Sequence, residues 1–373
     1  MFNDKNLMNV EIIFGDLFDF LSKKISFQKI LIVTSKNFSK RGVIKLVRNS
    51  LKNKDITVLD EVKKEPSIHQ IEYFKLKYSN KSFDLIISIG GGSVIDTAKV
   101  LSVILNFKNR KTKLHDFNKT IFCENIPLYS IPTTAGSGAE LTAFSTVWDY
   151  EVNKKYSFQS RFLLPKLAFY DYKLLKTLTF SVSVSSGLDT ISHALESIWN
   201  KHADPLSINL ATQSLCLSIN SIRAYVNNEK TDNSLKNMQL ASILAAISIS
   251  RTKTGIAHSI SYPLTSIYKI PHGIASSFVL PEVLKFNYEK DDGRLLNLSK
   301  NLSYSNVEKL YCELINLRQE LLPKLEFFQT LKDINIEFIA NNLITPERAE
   351  LNFRKVNEFE AKKILKEAIS RIS

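Results

Sequence analysis

The spacing of apolar residues changes once along the chain, near residues 178–181, and that change restricts what it can fold into. Before it, short β-branched runs recur at Val10–Phe14, Ile30–Thr34, Ile56–Leu59, Leu85–Ile89 and Tyr129–Pro132. Stretches of helical period, Gly42–Leu51 and Ile68–Tyr78, separate the early ones. This alternation predicts βαβ units around a parallel sheet. Leu85–Ile89 is nearly all apolar, as a strand buried on both faces must be. After the change the strand signals stop. Helical patterns follow at Ser186–Asn200, Pro205–Asn227, Ser234–Ser250, Ser305–Asn316, Leu331–Asn342 and Val356–Ile372. The expectation is an α/β domain over residues 1–179, then an all-helical domain over 180–373, with a cleft between them.

A chain of 373 residues, 44% hydrophobic and 23% charged, has the composition of a globular protein and the length of two domains. Either domain can bury a core without a disulfide or structural metal. The three cysteines, Cys123, Cys216 and Cys312, fit no metal spacing and no disulfide framework, so a cytoplasmic protein is expected. Met1–Val10 lacks an apolar segment, and no run approaches 18 apolar residues, so neither a signal peptide nor a membrane partner is expected. The net charge, 50 − 37 = +13, raises nucleic acid as a rival partner. The lysines are spread along the chain, without a basic stripe or a known module. They read as a solvated surface that attracts anionic substrates, and no nucleic acid is expected.

Gly90-Gly91-Gly92-Ser93 follows the buried strand directly and precedes a helical stretch, Val94–Leu105. Strand, glycine turn and helix N-terminus make a phosphate site, because backbone N–H groups and the helix dipole both favour an anion. The same fragment alone is equally an ordinary tight turn, and it is not G-x-G-x-x-G. A second loop, Thr133-Thr134-Ala135-Gly136-Ser137-Gly138-Ala139-Glu140, follows the strand Tyr129–Pro132. Ligands bind at that end of open α/β sheets, so two such loops favour a nucleotide.

Of six histidines, His69, His115 and His202 lie in polar surroundings and read as surface residues. Asp189 and His193 stand four apart, on one face of a helix. Taken alone the pair is more often a hydrogen bond than a metal site. His258 and His272 are flanked by apolar residues and are expected to be buried, where each ring needs a partner. One Asp and three His form a mixed N/O set suited to Fe²⁺ or Zn²⁺. Four protein ligands close a tetrahedral zinc site, whereas a catalytic ion must admit substrate, which favours iron.

With these motifs assembled, the chain resembles the iron-containing, group III alcohol dehydrogenases. Four blocks carry the resemblance: Gly90–Lys99 (GGGSVIDTAK), Pro132–Glu140 (PTTAGSGAE), Gly187–Glu196 (GLDTISHALE), and His258 with Pro271-His272-Gly273. The resemblance implies a dinucleotide-binding α/β domain followed by an all-α metal-binding domain, and a homodimer is expected. It implies Asp189, His193, His258 and His272 as metal ligands. Gly91, Gly92 and Ser93 would hold the pyrophosphate. Thr133, Thr134, Ser137 and Thr142 would line the nucleotide, with Lys155 on the nicotinamide side. Within the family the chain looks closest to the hydroxyethylphosphonate dehydrogenase, or phosphonoacetaldehyde reductase, branch. That likeness rests on Phe144–Asp149 with Lys154–Ser157, on His193–Trp199 and on His258–Thr265. Rival readings are a polyol or glycerol dehydrogenase, or a dehydroquinate-synthase-like lyase, of the same superfamily.

Two positions depart from the family pattern. Many members carry a further histidine, four residues after the third ligand, that assists proton transfer. Here Tyr262 stands there, and a phenol can relay a proton, with Thr142 as another path. Many NAD-specific members carry an aspartate after the second strand. Here it is Ser35, followed by Lys36, Lys40 and Arg41. An acid there would repel a 2′-phosphate, so NADPH is favoured over NADH. The expected substrate is a small anionic aldehyde or alcohol. Lys154, Lys155, Arg161, Arg251 and Lys253 are candidate cations, though each taken singly reads more readily as a surface residue. Lys253, five residues before His258, is the one placed to enter a common cleft.

Overall fold

The computed structural model describes residues 10–152, 154–227 and 230–372, with Lys154 described in its backbone only. The chain divides into two compact units. One runs to Thr134 and resumes over Gly138–Leu175; the other joins Ala135–Ser137 to the chain from Lys176 onward.

The first unit is built on a six-stranded parallel sheet. Its strands are β1 (Glu11–Phe14), β2 (Lys29–Val33), β3 (Asp55–Leu59), β4 (Leu85–Gly90), β5 (Leu128–Pro132) and β8 (Leu167–Tyr170). Their order across the sheet is β1-β8-β5-β4-β2-β3. Successive residues of β2 explain its apolar run. Ile30 and Ile32 pack with Leu17, Ile87 and Phe169 on one face, whereas Leu31 and Val33 pack with Phe74, Ile86 and Leu101 on the other. With helices over both faces, every position of β4 is buried. The chain reverses its direction across the sheet between β2 and β4. In an open α/β sheet that reversal opens a crevice at the strands' carboxyl ends. Ser35 follows β2 there and the glycine turn follows β4.

An antiparallel hairpin, β6 (Phe144–Asp149) with β7 (Lys154–Gln159), belongs to the same unit. Neither this hairpin nor β8 is among the strands expected from sequence. β7 is too polar to show as a strand, and β8 is four apolar residues that periodicity cannot assign.

The second unit is helical, so the α/β-then-helical architecture is the expected one. Its main helices are Phe180–Ile198, Pro205–Val226, Asp232–Thr252, Ile256–Ser266, His272–Phe278, Leu280–Tyr288, Val307–Leu321 and Glu358–Ser370. Pro205 opens its helix behind a capping box formed by Asp204 and Ser207. The helix expected over Leu331–Asn342 is broken. Asn335 caps a new start by accepting from the Phe338 N–H, which separates Phe328–Lys332 from Ile336–Ile339. Among the described residues no helix is long and apolar enough to cross a membrane.

Candidate metal centre and nucleotide turn

The helix Phe180–Ile198 is buried on all sides over its last three turns. Asp189 and His193 lie one turn apart on it, 6% exposed each, with Asp189 Oδ1 3.8 Å from His193 Nε2. His258 comes from the first turn of helix Ile256–Ser266, and its Nε2 is 3.7 Å from the same Oδ1. These separations are too long for hydrogen bonds. They are close to the roughly 3.4 Å between two ligands of one tetrahedral ion with bonds near 2.1 Å. His193 stacks on His258 with centroids 5.0 Å apart, and His272 meets His258 edge-on at 5.1 Å.

Gly273 permits that approach. A Cβ on it would stand 2.0 Å from the Ser185 carbonyl oxygen and 2.8 Å from Asp189 Cβ. Only a glycine lets helix His272–Phe278 press its first turn onto the helix carrying Asp189. His272 itself is half-buried, not buried as its apolar neighbours suggested, because it is the first residue of its helix and follows the half-exposed Pro271.

Asp189, His258 and His272 each offer one ligand atom within 4.8 Å of the others. His193 stands beside this set rather than within it. Burial works against the charge of Asp189, but the imidazoles of His193, His258 and His272 outweigh it and hold the carboxyl well below its usual range. For His258 burial also disfavours charge, yet Glu196 and Asp189 push it up to about 9. For His193 burial wins over Asp189 and lowers the pKa.

The donor set passes a simple test for a metal ion. His258 Nε2 and His193 Nδ1 are buried without any hydrogen-bond partner, an unfavourable state for a polar nitrogen that ligation at His258 Nε2 would relieve. Three imidazoles and one ionised carboxylate suit a divalent first-row metal.

In the α/β unit the glycine turn is shaped for close approach. Helix Gly92–Ile104 starts directly behind Gly91, whose carbonyl accepts from the N–H groups of Val94 and Ile95. The first-turn N–H groups therefore face out of the helix end, the arrangement that receives a phosphate. A Cβ on Gly91 would lie 3.2 Å from the Thr134 hydroxyl, so the two nucleotide loops touch. Thr133 donates its N–H to the Gly90 carbonyl, 3.0 Å away. The Ser93 hydroxyl accepts from the Glu65 N–H at 3.3 Å. Ser137, half-buried, falls in the short segment that groups with the helical unit.

Other expected site residues are placed as follows. Thr142 is 1% exposed; its hydroxyl accepts from Lys99 Nζ at 2.9 Å and donates to the Ala139 carbonyl at 3.2 Å. These bonds tie Thr142 to a buried ammonium and to the backbone of its own turn. Lys99 itself, fully buried, was not singled out by sequence reasoning. It also donates to the Phe144 carbonyl, and burial lowers its pKa to about 8 despite Asp96 and Glu140. Ser35 caps the short helix Lys36–Lys40 by accepting from Phe38 N. A β-bridge brings Glu61 alongside Ser35, an acid that sequence distance concealed; Lys77 pairs with its carboxylate. Lys155 lies in the hairpin with its ammonium 5.6 Å from the Trp148 ring centre. Tyr262 is half-buried one turn after His258. Lys253 is exposed at the end of helix Asp232–Thr252. Arg251 is committed to Asp204, Nε to Oδ2 3.0 Å. Arg161 is exposed, and the Lys154 side chain lies outside the described residues. His69, His115 and His202 are exposed, as expected.

Comparison with known proteins shows the family. A profile of the iron-containing alcohol dehydrogenases matches residues 10–172, and one of the family's C-terminal region matches residues 183–369. The chain is 30% identical over 364 residues to an NADPH-dependent butanol dehydrogenase of Clostridium saccharobutylicum, covering 92% of each protein. The chain belongs to the iron-containing alcohol dehydrogenase family. It is therefore an oxidoreductase of a family that works with a nicotinamide dinucleotide. A second member of the family, a sulfoacetaldehyde reductase of Bilophila wadsworthia, is 32% identical over 268 residues, 71% of this chain and 69% of its own. The crystal structure of a sulfoacetaldehyde reductase from Bifidobacterium kashiwanohense in complex with NAD+ shares the fold. Its TM-score is 0.85 at 21% identity, over 97% of both chains.

Proposed function

We propose that this alcohol dehydrogenase reduces a short aldehyde carrying an anionic group, with phosphonoacetaldehyde reduced to 2-hydroxyethylphosphonate as the best single candidate. Asp189, His193, His258 and His272 hold the metal, Fe²⁺ in preference to Zn²⁺. The glycine turn at Gly91, Gly92 and Ser93, with Thr133, Thr134 and Ser137, holds the nucleotide, NADPH at least as readily as NADH. The observation that carries the reading is the cluster of Asp189, His258 and His272 with His193 beside it, in which the buried His258 Nε2 and His193 Nδ1 have no hydrogen-bond partner.

When bound, the metal supplies Lewis acidity toward the carbonyl oxygen and the nicotinamide supplies the hydride. The carbonyl carbon gains that hydride and the oxygen gains a proton, so one aldehyde, one NAD(P)H and one H⁺ give one alcohol and one NAD(P)⁺. Asp189 remains ionised and offsets part of a divalent charge. Tyr262, on the helix face of His258, is the residue placed to pass the proton. The first-turn N–H groups behind Gly91 orient the pyrophosphate.

Support for an anionic substrate comes from the branch motifs, from the net charge of +13, and from the sulfoacetaldehyde reductase, whose named substrate is an aldehyde with an anionic group. A second reading, a neutral short-chain alcohol dehydrogenase, is favoured by the butanol dehydrogenase matched over 92% of the chain. The two separate on kcat/KM of the iron-loaded protein for phosphonoacetaldehyde and propionaldehyde. A charge-assisted bond of about 1.5–3 kcal/mol gives the anion an advantage of roughly 10- to 100-fold. Preference for propionaldehyde would reject the anionic reading and leave the second.

A further inference from the structure

Glu196 lies three residues after His193 and seven after Asp189, so all three project from one face of the same helix. It is fully buried, and four N–H groups converge on its two oxygens. Oε2 is 2.5 Å from His258 Nδ1 and accepts from the Gly255 N–H at 2.9 Å. Oε1 accepts from the N–H groups of Ala257 at 2.6 Å and His258 at 3.2 Å. Three of these donors belong to the start of helix Ile256–Ser266, which has no capping side chain of its own. The fourth is the imidazole. A carboxylate acting only as an acceptor requires the ring hydrogen to sit on Nδ1. Nε2 is then the nitrogen turned toward Asp189, and it is the buried ring atom without a partner.

We infer that Glu196 is a positioning residue of the metal site, fixing the ring plane of His258 and keeping its hydrogen on Nδ1, so that Nε2 is presented as the ligand. The inference rests on the metal-site reading above. One helix thereby supplies two of the donors and the group that aims a third. Orienting partners of this kind shape metal affinity through the ligand they hold.

Glu196→Gln separates positioning from capping. The Gln side chain keeps one oxygen for the Ala257 and His258 N–H groups. Its amide NH₂, in place of Oε2, loses one of the three helix-start N–H groups, that of Gly255, and faces the ring, where it drives the imidazole hydrogen onto Nε2, the ligand position. With Co²⁺ as the probe, titrated into the metal-free full-length protein against a competing chelator, affinity falls about 10- to 100-fold. The visible Co²⁺ spectrum changes with it, while the helix content of the metal-free variant is retained. Wild-type affinity and spectrum in Glu196→Gln would overturn the inference. If that variant does not fold, the wild type decides. In the Zn²⁺-loaded protein, ¹⁵N-labelled His258 carries an exchange-protected proton on Nδ1; a proton on Nε2 would overturn the inference. His272→Ala tests the underlying reading on its own. One Co²⁺ bound in wild type and lost in His272→Ala, but kept in Glu196→Gln, rejects Glu196 alone. No stoichiometric Co²⁺ in wild type rejects both.

Discussion

The two sites in this chain are made from different materials. The candidate nucleotide turn is backbone: Gly91 and Gly92 stand at a helix start, and their main requirement is missing side chains. The candidate metal centre is side chain: Asp189, His258 and His272, with His193 beside them and a second carboxylate, Glu196, behind His258. A backbone site carries little buried charge. A side-chain site of this kind concentrates desolvated charge, which is favourable only when each group has a partner. The contrast teaches that glycine serves opposite purposes in the two places. In the turn it would admit the proposed nucleotide; at Gly273 it admits another helix.

The same substitution should therefore act very differently in the two sites. Gly273→Ala puts a methyl against backbone that cannot yield, 2.0 Å from the Ser185 oxygen. We expect a loss of about 3 kcal/mol or more in urea unfolding, and loss of bound metal. Gly91→Ala meets only the Thr134 side chain at 3.2 Å, which can rotate away. There the loss in stability should stay below about 1 kcal/mol while nucleotide affinity falls. Equal destabilisation by the two would remove the distinction.

A second prediction challenges the contrast from the other side, because the α/β unit also buries a charge. Lys99 has its pKa lowered from 10.5 to about 8, chiefly by burial. Below pH 8 it is protonated in both states and its burial is unfavourable. Between pH 8 and 10.5 the unfolded chain binds more protons, so this contribution to stability rises with pH. The span corresponds to about 3 kcal/mol at most. In urea unfolding, wild type should gain stability relative to Lys99→Met by up to this amount as pH rises across that window. Parallel pH profiles would show that Lys99 titrates normally.

The smallest expected effect lies at the crevice beside β2. Ser35→Asp adds a carboxylate where a 2′-phosphate would be received. The ratio of kcat/KM for NADPH to that for NADH should fall by about tenfold. A wild type that already prefers NADH strongly would mean that Glu61, brought beside Ser35 by the bridge, discharges that function.

Much of the parallel sheet was legible because β2 and β4 are buried on both faces and read as unbroken apolar runs. β8 and the hairpin were not, since four apolar residues and a polar strand carry no usable period. Asp189 and His193 were legible as a pair through helical spacing. His258 and His272 were visible as isolated polar residues in apolar settings, although chain entry at a helix start left His272 half-exposed. Glu196 and Lys99 were hidden for a common reason. Each sits inside a recognised motif, at positions 187–196 and 90–99, yet the hydrogen-bond partners of its side chain lie more than forty residues away. Sequence spacing registers neighbours along a helix, not what a fold folds against it.

From Gly187 to Ile198 the helix that carries Asp189, His193 and Glu196 has no exposed residue. A segment with no outward face has nowhere to accumulate neutral change. Each substitution in it meets a packed neighbour, a buried hydroxyl such as Ser192, or a ligand. Room for tolerated change lies instead in the helices around it, such as Pro205–Val226, which have exposed positions. Those exposed positions can change without disturbing the side chains of Asp189, His193 and Glu196.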